Sequence, residues 1–324
     1  MSDVDASVPA LSVVIVAVRG TASIEHTLRH LRAQTARRSI EVIVVASSSD
    51  AVDREALGAS EFASFRVVPV GPILQRGRAA AVGMLAARAP VVGLIEDHSF
   101  PEPTWAAALI AAHAGPWTGV GPAVDNANPH SAMSWVNFIL SYGIFSGTPP
   151  AGERELLPWH NSSYKRAALD PYADRLGVLL DWEGHLQHAL RASGHRLYLE
   201  PAARTRHINV SRLSSTIGLN LQRGRILGAQ RSERERWGSG RKLAQAAAFP
   251  LFPIQQLRHL SAMIRAMPIP RSLVLRVYAG LWVTLCIMAL GEAWGLVAGA
   301  GDAIARLEDF ELYRTRHLAR GDAV

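Results

Sequence analysis

One cysteine, Cys286, is all the thiol chemistry in the 324-residue chain. That excludes an internal disulfide framework and any cysteine-based zinc site. No Gly-x-Gly-x-x-Gly turn follows the first apolar run. The turn there, Arg19-Gly20-Thr21-Ala22-Ser23, has a single glycine, too few for the backbone to reach a dinucleotide pyrophosphate. A Gly-x-x-x-x-Gly-Lys loop is also missing, which removes P-loop phosphoryl transfer. Internal repeats and low-complexity tracts are absent. Met1 to Pro9 carry Asp3 and Asp5 and no apolar core, so they do not read as a secretory signal, and the N-terminal part is expected in the cytoplasm. Acidic groups are in deficit, 27 against 34 Lys+Arg, for a net charge of +7. That balance favours anionic partners: phosphorylated substrates, anionic lipid headgroups or nucleic acid.

What is present is a regular alternation. With 49% hydrophobic residues the chain can fill one large domain or two smaller ones. The run 11–18 is short, β-branched and nearly all apolar, as a strand buried on both faces should be. Ile24, Leu28 and Leu31 follow at helical spacing up to about Gln34. The segments 40–45, 65–70 and 91–95 read as further strands, 77–89 and 104–113 as helices, and 119–124 as a return to the sheet. Such alternation predicts a parallel sheet covered on both sides. The aromatic stretch 134–145 reads as core or pocket wall, 147–152 as a loop, 179–193 as one helix, and 197–201 as a short strand with His207 just beyond it.

The fourth strand ends in Glu96-Asp97-His98, and Pro101 and Pro103 follow. Ligands of open α/β sheets bind beyond the carboxyl ends of the strands. Two carboxylates and an imidazole there can hold a divalent cation, and the cation a diphosphate. The alternative is a polar strand end that caps the next helix.

In this order the features resemble family 2 glycosyltransferases with the GT-A fold, inverting enzymes that use nucleotide-activated sugars. The family's opening strand, helix ending near a glutamine, and second strand map to 12–18, Gln34 and 42–50. Its Asp-x-Asp, Pro-x-Pro and tryptophan map to Glu96-Asp97-His98, Pro101, Pro103 and Trp105. Its Gly-x-Asn before a basic pair maps to His160-Asn161 and Lys165-Arg166, and its Glu-Asp helix to Trp182-Glu183, Leu186, Leu190 and Gly194. The resemblance covers roughly residues 10–210. It implies an α/β, GT-A-like, Rossmann-type, mostly parallel sheet with flanking helices, followed by a C-terminal helical, membrane-associated tail. The implied division is a transferase domain over 1–219 and a basic, apolar helical segment over 220–324.

Three departures stand out. The acidic pair at the end of the second strand is Ala46-Ser47, with Asp50 or the serines in its place. The metal motif reads Glu-x-His, and because imidazole suits transition metals better than magnesium, Mn2+ is expected over Mg2+. One carboxylate, Glu183, remains on the acceptor helix. The expected metal ligands are Glu96, Asp97, His98 and His207. Donor contacts are expected from Ser47, Asp50, Arg78, Asp97 and Asn161, with Lys165-Arg166 as further candidates for the diphosphate. His160 and Asn161 are expected to shape the acceptor side rather than ligate metal. Glu183 is the expected general base, and Asp181, which should point off the same helical face, ranks second. The implied reaction moves a sugar from a nucleotide-sugar donor to an acceptor hydroxyl, with a lipid-linked or surface glycan as the implied acceptor. A catalytically degenerate GT-A-like binding or scaffold protein at the membrane is the alternative.

Beyond residue 220 arginines cluster over 223–242, and 277–291 is free of charge, bracketed by Arg276 and Glu292. That run is short for a span of about 20 residues. Extended to about Gly301 it could cross with one buried carboxylate, lie in the interface, or be a core helix. The basic stretch holds a single aromatic, Trp237, so anionic lipid is expected as its partner rather than nucleic acid. The expected location is the cytoplasmic face of the cell membrane.

Overall fold

A computed structural model describes residues 8–181 and 184–322. The chain divides into two compact units, one formed by residues up to Asp125 with Phe145–His207, the other by Asn126–Ile144 with Ile208 onward. The sequence expectation divided the chain at 219/220; here the second unit begins at 208 and also takes in 126–144.

The first unit is a nine-stranded mixed sheet with flanking helices. In chain order its elements are β1 (Leu11–Ala17), α1 (Thr21–Arg32), β2 (Ile40–Ala46), β3 (Ser64–Pro69), α2 (Arg76–Leu85), β4 (Val91–Ile95), β5 (Ser99–Pro101), α3 (Trp105–His113) and β6 (Gly119–Asn126). Helix α4 (Ala132–Tyr142) belongs to the second unit; then come β7 (Gly152–Arg154), β8 (Ser163–Lys165), α5 (Leu176–Leu180), α6 (His185–Ala192) and β9 (Leu197–His207). The strand order is β3-β2-β1-β4-β8-β6-β9-β5, with β7 paired to β9. Strands β1 to β4 are parallel, as the alternation predicted. The half from β8 onward pairs antiparallel at β4–β8, β6–β8, β5–β9 and β7–β9.

Alternate residues of the strands feed two cores. Val13, Ile15, Val42 and Val44 pack with Ile24 and Leu28 of α1 and Trp105 of α3 on one face. On the other, Val14, Val16, Ile43 and Val45 meet Ala80 and Met84 of α2 and Leu176 and Leu180 of α5. This is the period-two pattern of strands covered on both sides. Small side chains let α2 lie close, since a Cβ on Gly83 would come within 2.5 Å of Val14 Cγ1. One carboxylate sits inside the sheet. Glu41 is fully buried, pairs with Arg66 at 3.1 Å, and accepts from Ser12 Oγ and the Arg88 amide. Such multiple partners are what make a buried charge tolerable.

The second unit is helical: α4, α7 (Leu213–Arg234), α8 (Ser239–Ala247), α9 (Leu251–Ala266), α10 (Arg271–Ala298) and α11 (Ala303–Leu312). The apolar run 277–291 therefore lies inside a 28-residue helix, α10, long and apolar enough to cross a membrane by length and composition. One face of α10 packs on α7 at backbone distance. A Cβ on Gly224 or Gly228 of α7 would come 2.1 Å from the carbonyl oxygen of Met288 or Glu292, and one on Gly295 of α10 would come 1.9 Å from that of Arg225. Two Gly-x-x-x-Gly pairs, 224/228 and 291/295, thus face each other. A buried amide network ties 126–137 to 209–220. Asn128 Nδ2 donates to the Asn209 carbonyl, and Asn137 Nδ2 donates to Thr216 Oγ1 and the Val210 carbonyl.

Candidate active site

Because β1, β2 and β4 run parallel in register, with Ile15 opposite Ile95 and Val16 opposite Val45, their carboxyl ends share one edge. Chain leaving β4 there makes a tight turn, with the Ser99 amide donating to the Glu96 carbonyl at 3.1 Å, and returns as β5. Strand β5 pairs antiparallel with the end of β9, setting Ser99 opposite His207. A histidine distant in sequence is thereby delivered to Glu96 and His98. Side chains fix the turn from α1: Thr27 Oγ1 donates to the Asp97 carbonyl at 2.9 Å. Fully buried Gln34 donates to the Glu102 carbonyl and accepts from the Ala106 amide, which explains a glutamine at the end of the first helix.

Glu96, His98 and His207 are all buried, and one ligand atom from each lies within 4.8 Å of the others. His207 Nε2 stands 3.1 Å from Glu96 Oε2 and His98 Nε2 3.8 Å from Glu96 Oε1. The two rings meet edge to face at 4.7 Å. Donors at right angles around one ion, each about 2.1 Å from it, are about 3 Å apart, so the set fits a divalent cation. A carboxylate only accepts, so Asp97 Oδ1 accepts a hydrogen bond from His98 Nδ1–H at 2.7 Å. That leaves the His98 Nε2 lone pair directed elsewhere, the usual carboxylate–histidine arrangement beside a metal. Asp97, expected among the metal ligands, thus orients the His98 ring instead.

Two more side chains hold Glu96. Arg76 Nη1 donates to Oε1 at 2.8 Å and Asn161 Nδ2 to Oε2 at 2.9 Å. Arg76 also donates through Nη2 to His160 Nε2 at 2.7 Å. Burial alone would raise the Glu96 pKa; the imidazoles of His98 and His207 outweigh it and hold the carboxyl well below its usual range.

Of the residues singled out in the sequence, the structure brings Glu96, Asp97, His98, Asn161 and His207 together. Arg78, also singled out, is exposed on α2; the arginine that reaches the cluster is Arg76, one position before Gly77 in the first turn of the same helix. An arginine opening the helix after the third strand was the available signal. Ser47 and Asp50 are exposed beyond β2, at the same sheet edge. Lys165 and Arg166 do not reach the cluster. Strand β8 runs antiparallel to β4, so Lys165 pairs with Val91 at the opposite edge, where its Nζ donates to the Gly115 carbonyl. The single helix expected over 179–193 is two: α5 stops at Leu180 and α6 starts at His185 after Gly184, which has φ +78°. Asp181 follows α5, half-buried against α2, where a Cβ on Gly77 would overlap its Oδ1. Burial raises its pKa, against the pull of Arg78 and Arg76. Trp182 and Glu183, the expected base, lie outside the described residues, as do Met1 to Ser7.

No protein-family model matches the sequence, and no curated protein matches it. Solved structures do. A mannosyltransferase from Pyrobaculum calidifontis, in complex with GDP-Man and Mn2+, aligns over 90% of this chain and 89% of its own, with a TM-score of 0.53 and 16% identity. At that identity the likeness speaks for the fold: the first unit and its helical sequel have a glycosyltransferase fold of the GT-A-like kind. GalNAc-T7 with UDP, GalNAc and Mn2+ (TM-score 0.46, 16% identity, 63% of this chain and 44% of that one) and S. aureus TarS 1–349 (0.44, 13%, 84% and 70%) are more distant.

Proposed function

We propose that this protein is an inverting glycosyltransferase of the family 2 kind, moving a sugar from a nucleotide-sugar donor to an acceptor hydroxyl. The observation that carries the reading is the convergence of Glu96, His98 and His207 at the carboxyl edge of the parallel strands, on a fold shared with a glycosyltransferase. Those three residues would hold a divalent cation, which when bound supplies positive charge to the departing nucleotide diphosphate. Two imidazoles among three ligands favour Mn2+ over Mg2+. Asp97 keeps the His98 ring oriented, and the hydrogen bonds from Asn161 and Arg76 keep the Glu96 carboxylate aimed.

On the acceptor side, Glu183 takes the proton from the attacking hydroxyl as its oxygen bonds the anomeric carbon and the bond to the diphosphate breaks. One general base suffices for this single displacement. Asp181 itself lies against the first turn of α2, where a Cβ on Gly77 would overlap its Oδ1, and that turn carries Arg76, the arginine paired to Glu96. A lipid-linked or surface glycan as acceptor, and a location at the cytoplasmic face of the cell membrane, belong to the same proposal and rest on the apolar, arginine-rich C-terminal sequence.

The test is turnover with a panel of nucleotide sugars and Mn2+. Glu183→Gln is expected to abolish transfer with donor affinity kept, and Asp181→Asn to lower it less. A folded, fully active Glu183→Gln enzyme discards the assignment of the base. A non-catalytic nucleotide-sugar binder is the second reading, favoured by Glu96 already having Arg76 and Asn161 as partners. It is distinguished by donor affinity that does not respond to Mn2+.

A further inference from the structure

We propose that the helical unit docks in the interface of an anionic lipid bilayer along one side of α10, with α8 and α9 beside it, and does not cross the membrane. This inference deepens the membrane location proposed above and does not depend on the transferase chemistry, which the flotation experiment leaves untouched.

A continuous apolar stripe runs down α10. Leu275 is 81% exposed, Trp282 43%, Val283 48%, Leu290 46%, Trp294 45% and Val297 58%. Their spacing keeps them on one side of the helix, opposite the glycine face buried against α7. Leu243 of α8 and Leu251 and Ile254 of α9 are exposed as well. The charge pattern is one-sided: from Arg236 to Gly291 there are seven Lys or Arg and no Asp or Glu. Arg271 and Arg276 are exposed at the start of the stripe and Arg265 on α9.

That combination selects the occupant. A second copy would bring the same cations against themselves with no carboxylate between. Nucleic acid would meet the arginines and could stack on the tryptophans, but it offers nothing to Leu275, Val283, Leu290 and Val297, the aliphatic majority of the stripe. An anionic bilayer satisfies both, with headgroups for the cations and acyl-chain boundary for the stripe.

Crossing is opposed by the packing of α7. The paired glycines put α7 and α10 in backbone contact, so a spanning α10 would carry α7 into hydrocarbon. Helix α7 holds Arg223, Arg225, Arg231 and Arg234. Arg231 is ion-paired at 2.9 Å to Glu292, within α10 itself. Charges at that depth are strongly disfavoured.

The experiment is flotation of the full chain with vesicles of phosphatidylcholine alone, or with about a third phosphatidylglycerol. The protein is expected to float with the anionic vesicles only and to be released by high salt and by alkaline carbonate. Cys286, half-exposed on α10, should lose its reaction with a water-soluble maleimide when vesicles are bound. Replacing Arg271 and Arg276 by Gln is expected to weaken partitioning roughly 25-fold, about five-fold for each arginine. Leu290→Glu should abolish it. Should Leu290→Glu misfold, the arginine pair, exposed at the start of α10, still decides. Failure to float with either vesicle overturns the proposal, as does equal flotation with both. Resistance to carbonate would mean that the helix crosses, and a vesicle-blind dimer lost in Leu290→Glu would assign the stripe to a second copy.

Discussion

Glu96 is contested by two kinds of cation. In the metal-free protein its oxygens are held by Arg76 and Asn161, with His98 and His207 beside them; a bound divalent ion would draw on the same carboxylate. Removing one partner of a buried ion pair costs roughly 3–5 kcal/mol. Arg76→Met is therefore expected to lower the melting temperature of the metal-free protein and to enlarge the stabilisation given by Mn2+, read as a wider thermal shift than wild type. An unchanged shift would mean that the arginine and the ion do not share Glu96. A second residue-level test concerns acid stability. Burial, helped by Lys165, lowers the His113 pKa to about 4, whereas the unfolded chain takes up that proton near 6.5. Between those values the unfolded state binds more protons, so stability is full above about pH 6.5 and falls by about 3 kcal/mol on the way to pH 4. Urea unfolding of His113→Gln should show less of that loss. At this scale the chain was readable where chemistry is written into one short motif, as at Glu96 to His98. It was silent on which arginine at the start of α2 turns inward, since that depends on helix phase against the sheet edge.

Among the elements, the pairing of β5 with β9 assembles the site, and neither strand was legible at its true extent. The β5 segment is three residues between a polar turn and prolines. Strand β9 runs through Pro201, which reads as a strand end. The break between α5 and α6 was hidden because apolar spacing continues across it through Leu176, Leu180, Leu186 and Leu190, all buried in one core. The facing glycines of α7 and α10 were present in the sequence, but a Gly-x-x-x-Gly pair on one helix gives no sign that another will meet it. They make a sharp prediction. Gly295→Ala forces a methyl to within 1.9 Å of the Arg225 carbonyl and is expected to cost about 2–3 kcal/mol. Gly240→Ala, in exposed α8 with nothing near its Cβ, should instead stabilise by about 0.5–1 kcal/mol. Thermal or urea melts of the two variants check the contrast; equal effects would rule out backbone contact between the helices.

At the scale of the whole molecule, alternating apolar strands and helices disclosed the parallel half of the sheet, because strands buried on both faces leave a plain record. The antiparallel half was obscured: its pairings join segments far apart in sequence, and it is interrupted by 126–144, which leaves the first unit for the second. That excursion also explains why a boundary judged from the basic stretch after residue 220 differs from the packing, which groups buried Asn128 and Asn137 with Asn209 and Asn220. The two units carry separable claims, donor chemistry in one and lipid contact in the other. The most direct test of the central claim is a Mn2+ titration of the purified full chain followed by electron paramagnetic resonance, with nucleotide-sugar turnover measured on the same samples. One ion per chain is expected, weakened at least about 10-fold by His98→Ala or His207→Ala, with turnover lost in step. Turnover undiminished in excess chelator, or Mn2+ binding indifferent to both histidines, would contradict it.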